Sequence, residues 1–209
     1  MSLFITFEGI EGSGKSSHAR SLAAALRARG YDVVETREPG GTSAGTAIRA
    51  LLLGAEVTPL TPLAELFLYC ADRTQHVAEV VRPALARGQV VVCDRFSDST
   101  IAYQGYGRGL ALPVVRALDT QAREGLEPGL TFLLDCAASV GLARAKARAG
   151  LEDRFERETV GFHERIREGF RALAAAAPAR MVVVDSTQDP AVAGERIVAT
   201  ALARLGAGA

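Results

Sequence analysis

An α/β fold built on a five-stranded parallel sheet is what the sequence predicts, and three observations carry it. Five short apolar runs, at 3–7, 32–35, 90–93, 130–134 and 181–184, have the length and composition of buried strands. Long segments with helical spacing of apolar residues separate them, the alternation that puts helices on both faces of a parallel sheet. Directly after the first run comes Gly9-Ile10-Glu11-Gly12-Ser13-Gly14-Lys15-Ser16, a complete G-x-x-x-x-G-K-[ST] phosphate loop. Together these give a P-loop NTPase-type doubly wound sheet, with ligands outside the C-terminal ends of its strands.

Taken in order, the first run enters the loop directly. The loop's glycines let the chain turn tightly and present backbone N–H groups to a triphosphate, with Lys15 reaching the β/γ-oxygens and the Ser16 hydroxyl available to magnesium. A helix opens at Ser17, so its positive end faces the same anion. Gly30 and Gly88 suit helix ends before the second and third strands. Residues 58–62, Thr-Pro-Leu-Thr-Pro, read as a short loop, and Leu63, Leu66 and Phe67, then Val77, Val80, Val81 and Leu85, keep a helical period. The third strand closes on Asp94-Arg95: an acid placed to hold magnesium directly or through water, and an arginine placed to face a second anion. Arg73, on a preceding helix, adds to that charge. Residues 97–105 gather hydroxyl, amide and aromatic groups, among them Thr100, Tyr103 and Gln104, suited to orienting a heterocycle; Gln104 can donate and accept, as a pyrimidine's adjacent N–H and carbonyl require. The alanine run at 174–177 fits a helix end before Pro178, and 191–205 a last helix with a frayed 206–209.

Composition narrows the function classes. A chain of 209 residues suits one domain, 1–209. Its 24 basic and 24 acidic residues cancel, which argues against a nucleic-acid surface, so anions must be held by local clusters. Lys15 and Lys146 are the only lysines; the remaining positive side chains are arginines, which favour bidentate phosphate contacts. Cys70, Cys93 and Cys136 are widely spaced among apolar residues and read as reduced thiols, neither a disulfide framework nor a zinc site. His18, His76 and His163 are isolated from metal-ligand spacing and are expected at exposed helix positions. No targeting pattern opens the chain and no apolar run approaches about 18 residues, so a cytoplasmic protein without membrane contact is expected. The chain contains no asparagine, which leaves no Asn-Lys-x-Asp guanine-reading motif.

Thr36-Arg37-Glu38-Pro39-Gly40-Gly41-Thr42, Asp94-Arg95-Phe96 and Ala102-Tyr103-Gln104-Gly105, in this order after the phosphate loop, resemble the bacterial thymidylate kinases over essentially the whole chain. The resemblance implies transfer of the γ-phosphoryl group of ATP to thymidine 5′-monophosphate, with Mg2+, in dTTP biosynthesis, by a symmetric homodimer. It implies ATP contacts at Gly9, Ile10, Glu11, Gly12, Ser13, Gly14, Lys15, Ser16 and Ser17, and magnesium at Ser16 and Asp94. Tyr69 would stack on the base; Arg73, Thr100 and Gln104 would contact its edge. Arg49 and Arg95 would lie near the acceptor phosphate, Tyr103 by the sugar, and Glu11 at the sugar 3′-hydroxyl. Glu38-Pro39 matches a cis-proline turn. Thr46 departs from the glutamate that the family often has there, and Tyr69 from its usual phenylalanine. A mobile lid is expected at about 144–157, hinged at Gly150, with Arg148 approaching the γ-phosphate; the catalytic set is Lys15, Arg95, Arg148 and Glu11. The residues by themselves leave open a kinase for another nucleoside monophosphate, or a nucleotide-binding module without turnover.

Overall fold

The computed structural model describes residues 2–54, 59–147 and 154–206. Its strands are β1 (Leu3–Glu8), β2 (Val33–Arg37), β3 (Val90–Asp94), β4 (Leu130–Asp135) and β5 (Met181–Asp185), all parallel, in the order β2-β3-β1-β4-β5. Central β1 pairs Phe7 with Asp94 of β3 on one side and with Phe132 of β4 on the other. The chain leaves β1 toward β2 and β3 and later returns past it to β4. The loop after β1 therefore sits where the winding reverses, the crevice in which open α/β sheets bind ligands.

All five expected strands form. β2 runs past its apolar stretch to Arg37, because pairing through Arg37 and Asp94 continues the ladder where the polar Thr36 and Arg37 hide it from a hydropathy reading. The helices are α1 (Lys15–Arg27), α2 (Ser43–Leu53), α3 (Pro62–His76), α4 (Arg82–Ala86), α5 (Ser97–Thr100), α6 (Leu112–Ala122), α7 (Ala138–Lys146), α8 (Val160–Ala176) and α9 (Pro190–Gly206). Thr42, Thr61 and Thr159 cap α2, α3 and α8 by accepting from the N–H groups of Gly45, Ala64 and Phe162. Two stretches with helical spacing widen into π-helical turns: Val77–Val81, just before Pro83 with its missing N–H, and Ile101–Gly107 after α5.

Strand alternation divides the core. Ile5, Phe7, Val92 and Phe132 face α1 and α9, packing on Leu22, Leu26, Ile197 and Leu205. Phe4, Val91 and Phe96 face the other way with Val77 and Val81, while Leu133 and Met181 join Ile166 and Phe170 of α8. Burial on both faces is why the central strands β1, β3 and β4 read as continuous apolar runs, while the edge strands β2 and β5 are partly exposed.

The histidines correct the expectation of exposure. His76 and His163 are buried, and His18 is half-buried. His76 lies between Glu38 Oε1 and Thr36 Oγ1, at 2.7 Å from each. His163 has Nε2 2.9 Å from the Phe155 carbonyl and Nδ1 3.1 Å from Glu11 Oε2. A polar residue on a helix does not reveal that a carboxylate from a distant segment will face it. The three cysteines are free, Cys70 half-buried and Cys93 and Cys136 buried. Among the described residues no helix is long and apolar enough to cross a membrane. Of the expected frayed end, Gly206 closes α9 and 207–209 lie outside the described residues.

Candidate active site

The phosphate loop leaves β1 and enters α1 through Gly14, which caps the helix at φ 90°, a left-handed conformation that costs glycine nothing. Gly12, at φ 69°, passes so close to α7 that a Cβ there would strike the Gly141 carbonyl. With glycine at the cap and no acid in its first turn, α1 leaves its first N–H groups and its positive end to an anion. Lys15 is buried and folded onto the loop, its Nζ donating to the Ile10 carbonyl (2.6 Å) and to Ser13 Oγ (3.2 Å). Burial and the charge of Arg95 push its ammonium down to about 8, against the pull of Asp94, Glu11 and Glu8.

Ser16 Oγ donates to Asp94 Oδ2, and Asp94 Oδ1 is buried without a hydrogen-bond partner among the described residues. A buried carboxylate oxygen left unpaired is costly unless a bound species completes it. A hydroxyl beside a carboxylate is also the hard-oxygen pair that suits Mg2+ shared with phosphates, so the residues fit that ion.

Arg95 holds this half of the site to the next. It sits at the end of β3 at φ 70°, left-handed for a non-glycine residue. Its Nη1 donates to the Gly9 carbonyl (2.9 Å) and Ser99 Oγ (3.2 Å), its Nη2 to Glu11 Oε1 (2.9 Å) and Tyr103 Oη (3.0 Å), and its guanidinium lies 5.0 Å from the Tyr103 ring centroid. Tyr103 in turn donates to Glu11 Oε1 at 2.5 Å. Burial alone would raise the Glu11 carboxyl; the His163 ring 3.1 Å away and the charges of Arg95 and Lys15 outweigh it and hold Glu11 well below the usual carboxylate range.

The opposite wall comes from α3, α5 and the π-helical stretch. Arg73 is 1% exposed, with Nε (2.9 Å) and Nη2 (2.8 Å) on Glu38 Oε2 and Nη1 on Asp119 Oδ1 (2.7 Å) and Thr100 Oγ1 (2.8 Å). The Glu38–Pro39 bond is cis, and Arg49 Nη1 donates to the Pro39 carbonyl at 2.8 Å. Tyr69 is half-buried; burial and the charge of Glu65 raise its phenol.

One cavity unites these groups. Glu11, Gly12, Lys15, Ser16 and Asp94 line it on the loop side, and Glu38, Pro39, Arg49, Tyr69, Arg73, Arg95, Thr100, Tyr103 and Gln104 line the rest. Gly9, Ile10, Ser13, Gly14 and Ser17 are not on its wall; Ile10 packs in the core and the Ser13 hydroxyl is taken by Lys15. Arg148 and Gly150 lie outside the described residues. Thr46 is exposed on α2, its hydroxyl donating to the Thr42 carbonyl.

The sequence alone gives no site role to Arg37, Leu53, Phe96, Phe155 and Glu156 on this wall, nor to Glu65, Asp119 and His163 behind it. Phe155 had a signal: it is an isolated aromatic in the charged run Asp153-Arg154-Phe155-Glu156-Arg157. Its ring packs edge-on to Tyr103, centroids 5.5 Å apart. The buried acids had none, since each acts through residues distant in sequence.

A thymidylate kinase family model matches residues 7–197. The chain belongs to the thymidylate kinase family. Among its relatives, the thymidylate kinase of Solidesulfovibrio magneticus is 53% identical over 201 residues, which cover 93% of this chain and 96% of that one. That of Trichlorobacter lovleyi is 50% identical over 208 residues, 97% and 98% of the two chains. The crystal structure of thymidylate kinase from Ehrlichia chaffeensis has the same fold, with a TM-score of 0.77 at 33% identity, covering 95% of this chain and 98% of that one. The five-stranded parallel sheet with its helices is thus the fold of this family.

Proposed function

We propose that this chain transfers the γ-phosphoryl group of ATP to thymidine 5′-monophosphate, giving thymidine 5′-diphosphate and ADP, a step of dTTP biosynthesis. The observation that carries this reading is the single cavity shared by the phosphate loop and by Tyr69, Arg73, Thr100 and Gln104, which gives a triphosphate donor and a heterocyclic acceptor one meeting point.

The acceptor is itself a phosphate whose second ionisation lies near ~6, so its attacking oxygen is already deprotonated at neutral pH and no strong general base is needed. The obstacle is repulsion between two polyanions; catalysis consists of in-line positioning and fixed positive charge. Lys15 swings from the Ile10 carbonyl to the β/γ-oxygens, while the loop N–H groups hold the donor. Ser16 and Asp94 would hold Mg2+, which would supply positive charge against the phosphates. Arg95, kept rigid by Gly9, Glu11 and Tyr103, faces the acceptor phosphate together with Arg49. Tyr103 and Glu11 attend the sugar, and Tyr69 stacks on the base.

We assign the whole chain, 1–209, to one nucleoside monophosphate kinase domain with a closing segment at 144–157. Arg148 is our choice for the γ-phosphate; of its neighbours, Arg144 donates to the Ser186 carbonyl and Arg154 pairs with Glu65. Leu51 on α2 and Leu63 and Phe67 on α3, each about half exposed, favour a homodimer formed through these helices. A cytoplasmic location and the absence of nucleic-acid partners complete the reading.

A coupled ADP-release assay with magnesium, ATP and a panel of nucleoside monophosphates tests it. The highest kcat/KM is expected for the thymidine nucleotide. A different preferred acceptor overturns the substrate, and no acceptor-dependent ADP overturns the kinase.

A further inference from the structure

Glu65 stands in the first turn of α3 with its side chain 0% exposed, and none of the steps above uses it. Three donors converge on its carboxylate. Gln104 Nε2 donates to Oε1 at 2.8 Å; Arg108 reaches Oε1 through Nε and Oε2 through Nη2, both at 3.2 Å; Arg154 Nη2 donates to Oε2. The two guanidiniums are themselves held in place. Arg108 lies 4.6 Å from the Phe162 ring centroid and pairs with Glu158, and Arg154 lies 5.1 Å from that of Phe155. The carboxylate is thus fixed from several sides.

A primary amide has one end that donates and one that accepts, whereas a carboxylate can only accept. The Gln104 end facing Glu65 at 2.8 Å must therefore be the NH2 group; turned over, the amide would set its carbonyl oxygen against a carboxylate oxygen. The other end, Gln104 Oε1, is buried without a hydrogen-bond partner among the described residues, on a side chain that lines the cavity, where Arg73 contributes donors only. From this we infer that Glu65 is a positioning residue for acceptor specificity: it locks the Gln104 amide so that only a carbonyl meets the base edge. The inference rests on the proposed pyrimidine monophosphate acceptor. A base edge placed there must bring a donor, as the N3–H of thymine or uracil does. Cytosine brings the N3 lone pair, and two acceptors then face each other in a buried site, the kind of mismatch that discriminates strongly.

The test compares kcat/KM for thymidine and deoxycytidine monophosphates. In Glu65→Gln the side chain at 65 can donate or accept, Gln104 is free to turn, and the thymidine-to-deoxycytidine ratio is expected to fall by about tenfold or more. In a Gln104→Leu background the same substitution should change the ratio no further, because the effect runs through that amide. An equal loss for both nucleotides, with the ratio intact, is what a purely structural role gives and overturns the inference, as does a further fall in the Gln104→Leu background. Should Glu65→Gln not fold, NMR of the unmutated protein decides. The Gln104 side-chain amide protons must show contacts to the Glu65 methylene protons, free and with thymidine monophosphate bound, and their absence in either state overturns the inference. Failure of the unmutated enzyme to use thymidine monophosphate sinks the proposed function instead, while these NMR contacts still report on Glu65.

Discussion

Arg73 offers the sharpest test of how the acceptor wall is held. Arg73→Met removes a buried cation from between Glu38 and Asp119, whose side chains are nearly as buried as its own. Breaking a buried pair by deleting one partner costs about 3–5 kcal/mol, because the charge left behind has no water to turn to. Two carboxylates lose a partner here, yet the cost does not double. Glu38 keeps His76, and Asp119 keeps Arg123 Nε at 3.1 Å and the Ser97 hydroxyl. For a chain of this size each kcal/mol moves Tm by about 2–4 °C, so a loss of roughly 6–20 °C is expected. Thermal unfolding followed by circular dichroism, with a denaturant titration at 20 °C, measures it. A second substitution, Glu38→Met, made together with Arg73→Met, should return part of the loss, since a well-packed apolar pair is no worse than an ion pair in such a place. A Tm lowered by less than about 3 °C would refute the reasoning, for it would mean that Arg73 is solvated rather than clamped.

The remaining predictions concern the donor side. Lys15 has its folded value pushed down to about 8 from 10.5 by burial, so the unfolded chain binds more protons between those values. The ligand-free protein should accordingly gain stability as pH rises from 8 toward 10.5. ATP needs the ammonium, so above pH 8 its Kd should rise by up to about tenfold per pH unit, with proton uptake visible by calorimetry in buffers of different ionisation heat; a Kd flat from pH 7.5 to 9.5 would contradict this. Asp94→Asn should weaken the response of turnover to added magnesium and leave magnesium-free nucleotide binding within about threefold, by nucleotide titration with and without EDTA; an unchanged magnesium dependence would exclude Asp94 as a ligand. Arg148→Ala should lower kcat by about 10³ with little change in affinity for thymidine monophosphate, and an unaltered kcat would remove Arg148 from the mechanism.

Features that depend on neighbouring residues were legible in the sequence. The phosphate loop is written in consecutive positions, and burial on both faces leaves continuous apolar runs that betray β1, β3 and β4, with short runs marking the partly exposed edge strands β2 and β5. Asp94 and Arg95 were found because they end such a run. The polar half of β2 escaped, since its pairing partner rather than its own character extends the ladder. The burial of His76 and His163 escaped for the same reason: the acids facing them, Glu38 and Glu11, come from remote segments.

The sequence by itself determined the class of fold, the phosphate loop, the acid and arginine at the end of β3, and the resemblance that names the acceptor. Only the tertiary structure decided how those groups are held. It ties Arg73 between Glu38 and Asp119, seats Arg95 among Gly9, Glu11 and Tyr103, and turns the Gln104 amide with Glu65. The physical reason is that a side chain's chemical type is local, whereas its charge partner, its exposure and the direction of its hydrogen bonds are set by whatever the fold brings against it.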